Sequence, residues 1–226
     1  MNDHEQASIT SVQDHYAHLA HEYEQRANKS LTARVEHEVS LRIPKKDRFL
    51  DLGCGTGWLV KRFISHQIFG IDESLPMLRH HALSLKHRLL IGNLENMPFK
   101  SNSCHLASSI NSAEHVYHVT YLWREAFRIL VPGGKLLVIT PAGEKEKLLN
   151  LLERFHLKLP EGPHRFLNQT ELTQDLTSAG FNPVRVQRIL AFPIGGKRGL
   201  RCSMLMERFC PSLGFFLLAE AFKPSN

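Results

Sequence analysis

The chain contains no run of roughly eighteen apolar residues, and its most apolar stretch, Leu213 to Ala219, is too short to cross a bilayer. A transmembrane role is therefore not expected. The opening segment MNDHEQASITSVQDHYAHLAHEYEQR lacks the apolar centre of an export signal, so the cytoplasm is the expected location. Cysteines are few and scattered: Cys54, Cys104, Cys202 and Cys210 form no CxxC or Cys/His ligand pair. This excludes the usual zinc and dithiol patterns and points to free thiols in a reducing compartment. The histidines form no HxH or HExxH motif, and no metal is expected. Runs of like charge are missing too, so the net charge of +6 marks no basic tail. Internal repeats and low-complexity linkers are likewise absent. With 226 residues and 42% hydrophobic content, the chain reads as one soluble globular domain that needs no disulfide or metal staple.

What is present is alternation. The short apolar run Phe49-Leu50-Asp51-Leu52 follows the charged turn Pro44-Lys45-Lys46-Asp47 and ends at glycine, as a buried strand does. From Trp58 to Ile64 the apolar residues recur at helical spacing. Ile68 to Ile71 reads as a second strand; Ser74 then stands as an N-cap, with Pro76 in the first turn of a helix carrying Leu75, Met77, Leu78 and Ala82. Leu89 to Ile91, Leu106 to Ile110 and Leu136 to Ile139 are three further strands. A helix over Tyr121 to Leu130 precedes the last of these and stops at the breaker and turn Val131-Pro132-Gly133-Gly134. Strands and helices at this spacing imply right-handed crossovers and a parallel sheet covered on both faces, an α/β fold. Ahead of it, Val12 to Arg26 and Ser30 to Leu41 read as amphipathic helices that cover the sheet edge or the site. Behind it come a helix from Gln169 to Ala179, a strand over Val184 to Ile189, a basic Gly-rich segment and a final apolar run from Phe215 to Ala221, which together suggest an antiparallel closing pair.

The segment FLDLGCGTG, residues 49–57, is a strand, a tight glycine turn and a helix start, the place in a parallel sheet where ligands bind. Glycines there permit close approach of a ligand, and the helix start favours an anionic group such as a carboxylate. Gly70-Ile71-Asp72 ends the second strand where a carboxylate can accept from ribose hydroxyls, which points to a nucleoside-bearing ligand. Dinucleotide binding is disfavoured, because GxGxxG requires glycine where Trp58 stands.

Between about Phe49 and Pro141, the ordered blocks FLDLGCGTG, GIDES with Leu75 and Met77, GNLENMPF, SNSCHLASSINSAEHV and REAFRILVPGGKLLVITP resemble the class I S-adenosylmethionine-dependent methyltransferases. The likeness is to the small-molecule group that includes the ubiquinone and menaquinone C-methyltransferases. The resemblance implies a Rossmann-like, doubly wound, mostly parallel seven-stranded sheet with helices on both faces and an antiparallel last strand. The whole chain, 1–226, is read as a single such domain with an N-terminal helical cap (1–42), a cofactor-binding core (43–141) and a substrate-side part (142–226) with an insertion at 191–213. It assigns Asp51, Gly53, Gly55 and Gly57 to the methionine half of S-adenosyl-L-methionine and Asp72 to the ribose hydroxyls. Met77 is placed near the ribose or adenine, Asn93 and Leu94 at the adenine, and Ile110 and Asn111 beside the sulfonium. Two positions depart from the family: Asn93 replaces a frequent aspartate, although an amide also accepts a hydrogen bond, and Cys104-His105 replaces phenylalanine-aspartate.

For the acceptor side, AEHVYHVTY offers His115 as a general base, with Tyr117 and His118 nearby. In the alternative, Glu114 and His115 begin the following helix and shape the pocket without moving a proton. His164-Arg165-Phe166 is a second acceptor-side candidate, or a surface turn. The Asn/Asp-Pro-Pro-aromatic block that resemblance would require for methylation of nucleic-acid amines is replaced by Asn111-Ser112-Ala113-Glu114, and no aromatic-interleaved basic stripe exists. A small, apolar or aromatic acceptor is therefore expected rather than nucleic acid. RNA methylation and a non-catalytic cofactor-binding subunit are the alternatives. Segment 191–213 combines Phe, Met and Leu with Lys197, Arg198 and Arg201; it is read as a solvated basic loop beside a packed helix, or as a cap or peripheral membrane contact. The sequence sets no oligomeric state.

Overall fold

A computed structural model describes residues 29–43, 47–79, 85, 87–145, 166–190 and 196–225. The helix read over Val12 to Arg26, the turn at Pro44 to Lys46, the position of Ala82, His164 and Arg165, and the first residues of segment 191–213 lie outside these.

Helix α1 (Lys29–Ser40) leads into β1 (Arg48–Leu52), the short α2 (Trp58–Arg62), β2 (Gln67–Asp72), α3 (Leu75–Arg79), β3 (Leu89–Ile91) and β4 (Cys104–Ile110). Then come α4 (Val119–Ile129), β5 (Leu130–Pro141), α5 (Gln169–Ser178), β6 (Val184–Ile189), α6 (Gly196–Phe209) and β7 (Phe216–Phe222). The seven strands form one sheet in the order β3-β2-β1-β4-β5-β7-β6. Pairs β1–β2, β2–β3, β1–β4 and β4–β5 are parallel, whereas β7 runs antiparallel between β5 and β6. The expected seven-stranded, doubly wound sheet is thus present. Its strand order reverses between β1 and β4, which opens a crevice at their carboxyl ends.

The continuous apolar run in β5 follows from burial on both faces. Leu136 and Val138 join Leu50, Leu52, Trp123, Leu172 and Phe181 on one side. Their neighbours Leu137 and Ile139 join Phe49, Val35, Val39, Leu59 and Ile68 on the other. Successive residues of a strand point to opposite faces, so each cluster has its own layer of helices. Helix α1 therefore covers a face of the sheet rather than its edge. Helix α5 starts at a complete capping box: Asn168 Oδ1 accepts from Glu171 N at 2.9 Å and Glu171 Oε2 accepts from Asn168 N at 2.9 Å.

Two local expectations need correction. The helical spacing after the glycine turn ends at Arg62, and Ile64 is exposed. Val131 to Gly134 is not a turn between elements but part of β5: the pairing with β4 shifts register between Cys104 and Leu106, so this stretch bulges. Its backbone bonds go to the end of β7, with Gly133 N donating to Lys223 O and Lys223 N to Gly134 O. Proline and glycine signal a break in the helix, but a bulge within a strand uses the same residues.

Candidate functional site

Gly53, Gly55 and Gly57 follow β1 with φ of 73°, 55° and 75°, a left-handed run that favours glycine. Gly53 also has no room for a side chain, because a Cβ there would lie 2.3 Å from Ser112 Cβ. Ser112 is fixed in turn, its hydroxyl donating to Leu52 O at 2.8 Å and pairing with Ser109 Oγ at 2.8 Å. The glycine turn is thereby pressed against the segment after β4.

From the other side, Asp72 at the end of β2 accepts from Gly55 N at 2.7 Å through Oδ2 and from Ser74 N at 2.8 Å through Oδ1. Met77 is buried beneath the turn, its Cε 3.3 Å from where a Gly55 Cβ would stand. Ser74 holds the start of α3 as expected, its hydroxyl accepting from Met77 N at 3.4 Å. Leu94 is buried against Gly53, and its N–H donates to Glu73 Oε1 at 3.1 Å. Asp51, Gly53, Gly55, Gly57, Asp72, Met77 and Leu94 are thus brought together.

Burial of carboxylates gives this place its electrostatics. Asp51 lies inside the sheet with Ser108 Oγ donating to it at 2.6 Å. Desolvation, assisted by the charge of Asp72, pushes its pKa up to about 7 against the opposing pull of Ser108. Desolvation also raises Asp72, opposed by the N–H groups of Ser74, Gly55 and Glu73. Glu73 is raised too, again by burial first. Three carboxyl groups short of solvation make a site that favours a cation.

At the carboxyl end of β4, Ile110 and Asn111 border the crevice. Asn111 has a φ of 48°, its N–H donates to Ile139 O at 2.8 Å, and its buried Oδ1 has no hydrogen-bond partner among the described residues. A buried acceptor without a donor suits a ligand that brings one. Asn93 is exposed instead, its Oδ1 accepting from Glu95 N at 2.6 Å, which leaves the rest of the amide available.

On the acceptor side, Ala113–His115 is a single 3₁₀ turn after β4. Glu114 is buried and accepts from Thr140 Oγ1 at 3.0 Å, while His115 is half-buried. Tyr117 and His118 turn away to the surface, where His118 Nδ1 lies 3.1 Å from Glu95 Oε2. Phe166 is half-buried. No cluster of histidine, cysteine, aspartate or glutamate able to hold a metal occurs among the described residues.

Four contacts here escaped the sequence reading: Ser108 on Asp51, Ser109 with Ser112, Glu73 on Leu94 N, and Thr140 on Glu114. The serines stand in one run, SSINSAEH, whose alternation between strand faces was the available signal. The glutamates have no local signature, because their partners, Leu94 N after β3 and Thr140 in β5, lie far off in sequence.

Comparison with known proteins agrees with this geometry. Residues 50–138 match the family model of a methyltransferase domain. An uncharacterized protein of Methanocaldococcus jannaschii is 33% identical over 55% of this chain and 58% of its own length. The mitochondrial 2-methoxy-6-polyprenyl-1,4-benzoquinol methylase of Caenorhabditis elegans is 24% identical over 66% of this chain and 63% of its own. The chain therefore spans about three fifths of the length of these curated relatives. A solved S-adenosylmethionine-dependent methyltransferase of Thermotoga maritima shares the fold, with a TM-score of 0.67 and 21% identity over 92% of this chain and 98% of that one. Residues 50–138 thus carry the match to a methyltransferase domain, and the strands that follow complete the fold shared with the solved methyltransferase.

Proposed function

We propose that this chain transfers a methyl group from S-adenosylmethionine to a small, apolar or aromatic acceptor. The observation that carries the reading is the glycine turn after β1, locked to Asp72 on one side and Ser112 on the other at the crevice between β1 and β4. Gly53, Gly55 and Gly57 would take the methionine half of the cofactor, and Asp72 has lone pairs left for ribose hydroxyls. Met77 and Leu94 give the purine an apolar floor, with Asn93 at its polar edge. Ile110 and Asn111 stand where the sulfonium would lie, and the underlying Asp51 and Asp72 favour its positive charge.

When bound, the sulfonium supplies an activated methyl group, so the protein's task is alignment of the acceptor and exclusion of water. We assign the acceptor wall to the turn Ala113–His115. His115 takes a proton there if the acceptor must lose one, and otherwise fills the wall beside Glu114. The small-molecule reading is supported by the relative that acts on a benzoquinol, and by the absence of a basic aromatic stripe in this sequence.

The test is transfer of a labelled methyl group to a panel of quinone precursors, phenols and small acids by wild type and His115→Gln. Turnover on one class, with kcat of the variant lowered about 100-fold and its acid limb abolished, supports the reading and the base role. Turnover unchanged in the variant leaves His115 a wall residue. Cofactor binding without turnover on any acceptor, RNA included, would make the chain a non-catalytic binding subunit and overturn the proposal.

A further inference from the structure

Helix α6 (Gly196–Phe209) sits on the protein by its polar side. Gly199, Ser203 and Glu207, four residues apart, form its inward line. Glu207 Oε2 pairs with Arg34 of α1 at 2.7 Å, and its Oε1 accepts from Ser203 Oγ at 2.8 Å and from Leu190 N at 2.6 Å. Arg34 also meets Glu38 at 2.6 Å, and both side chains are buried. The outward side carries Leu205 at 60% exposure and Phe209 at 75%, with Met204 and Met206 also exposed and Leu213 just beyond. A helix at a protein surface normally turns this pattern the other way, apolar in and charged out.

Charge decides what covers it. The helix holds four basic residues, Lys197, Arg198, Arg201 and Arg208, of which Arg201 and Arg208 are described as exposed. Its one carboxylate, Glu207, is turned inward and paired. A second copy docked symmetrically through this helix would set its basic residues against the same basic residues, with no outward carboxylate on the helix to relieve them. An anionic bilayer surface takes both components, the apolar ridge below the headgroups and the arginines among them.

We propose that the outward face of α6, built on Leu205, Phe209, Arg201 and Arg208, docks the protein on the surface of an anionic lipid bilayer. No helix among the described residues is long and apolar enough to cross a membrane, so the contact is peripheral. Position adds a consequence. Ile189 at the end of β6 and Phe216 at the start of β7 pair with each other, and Phe216 also pairs with Pro141 at the end of β5. The segment bearing α6 therefore leaves and rejoins the sheet at the edge that carries the glycine turn and Asn111. The inference stands apart from methyl transfer, since membrane docking needs no cofactor.

Sedimentation of the full chain with vesicles tests it, using phosphatidylcholine alone and phosphatidylcholine mixed with phosphatidylglycerol. Wild type is expected to pellet with the mixed vesicles and to dissociate as salt is raised. The double variants Leu205→Ser with Phe209→Ser and Arg201→Glu with Arg208→Glu are each expected to bind at least about ten-fold more weakly. All four positions are solvent-exposed, and an unchanged thermal unfolding curve confirms that the variants fold. Wild type that stays in the supernatant with both vesicles overturns the proposal, as does binding that neither double variant weakens. Light scattering that shows a wild-type dimer, made monomeric by the serine variant, would instead assign the face to a second copy.

Discussion

Asp72 Oδ2 accepts the N–H of Gly55 at 2.7 Å, so the end of β2 and the turn after β1 form one rigid unit. The carboxylate proposed to meet the ribose therefore also fixes the loop proposed to carry the cofactor. Removing it costs the site twice, through a lost partner and through a loosened turn.

Gly53→Ala isolates the steric half of that design. The new methyl meets Ser112 Cβ at 2.3 Å, and the residue must hold a φ of 73°. Loss of roughly 2–4 kcal/mol in denaturant unfolding is expected. Adding Ser112→Gly should relieve the clash but not the dihedral strain, so rescue should be partial. Full rescue would show that the left-handed conformation is not needed.

Asp51 makes ligand-free stability depend on pH. Its pKa is raised from 3.8 to about 7 by burial, so between those values the unfolded chain releases a proton that the folded chain keeps. Stability therefore falls as pH rises through that window. Asp51→Asn should flatten this slope and stabilise the ligand-free protein at pH 8, by on the order of a few kcal/mol. Melting curves across pH read the effect, and a slope as steep in the variant as in wild type would contradict it. Cofactor binding should reverse the preference, because a nearby cation favours the ionised form. Affinity for S-adenosylmethionine is expected to rise toward pH 7 with proton release, measured by titration calorimetry in buffers of different ionisation heat.

The elements that position this site were legible where chemistry is local. Glycines, the ordered blocks and the strand ends at Leu52, Asp72 and Ile110 need only neighbours in sequence, and each falls where the sequence puts it. Val131 to Gly134 misled because proline and glycine mark a departure from helix without saying whether a turn or a bulge follows. The inversion of α6 was hidden for a different reason. Its inward partner Arg34 lies far away in sequence, and Glu207 reads as a surface residue until that pairing is seen.

The Arg34 cluster should hold α6 in place. Arg34→Met leaves Glu38 and Glu207 buried with one partner fewer, at an expected cost of about 3 kcal/mol or more. Pairing it with Glu207→Gln removes one of the stranded charges and should restore part of the loss. Chemical denaturation of the single and double variants reads this coupling, and strictly additive losses would show that the pair contributes nothing beyond its members.

The central claim is that the glycine turn and Asp72 hold S-adenosylmethionine. Calorimetric titration of wild type with S-adenosylmethionine and S-adenosylhomocysteine, beside Asp72→Ala and with NAD as the control ligand, tests it most directly. Micromolar binding of both ligands, lost in the variant and absent for NAD, is the predicted result. A folded wild type that binds neither ligand, or an Asp72→Ala protein that binds both as tightly as wild type, would contradict the account.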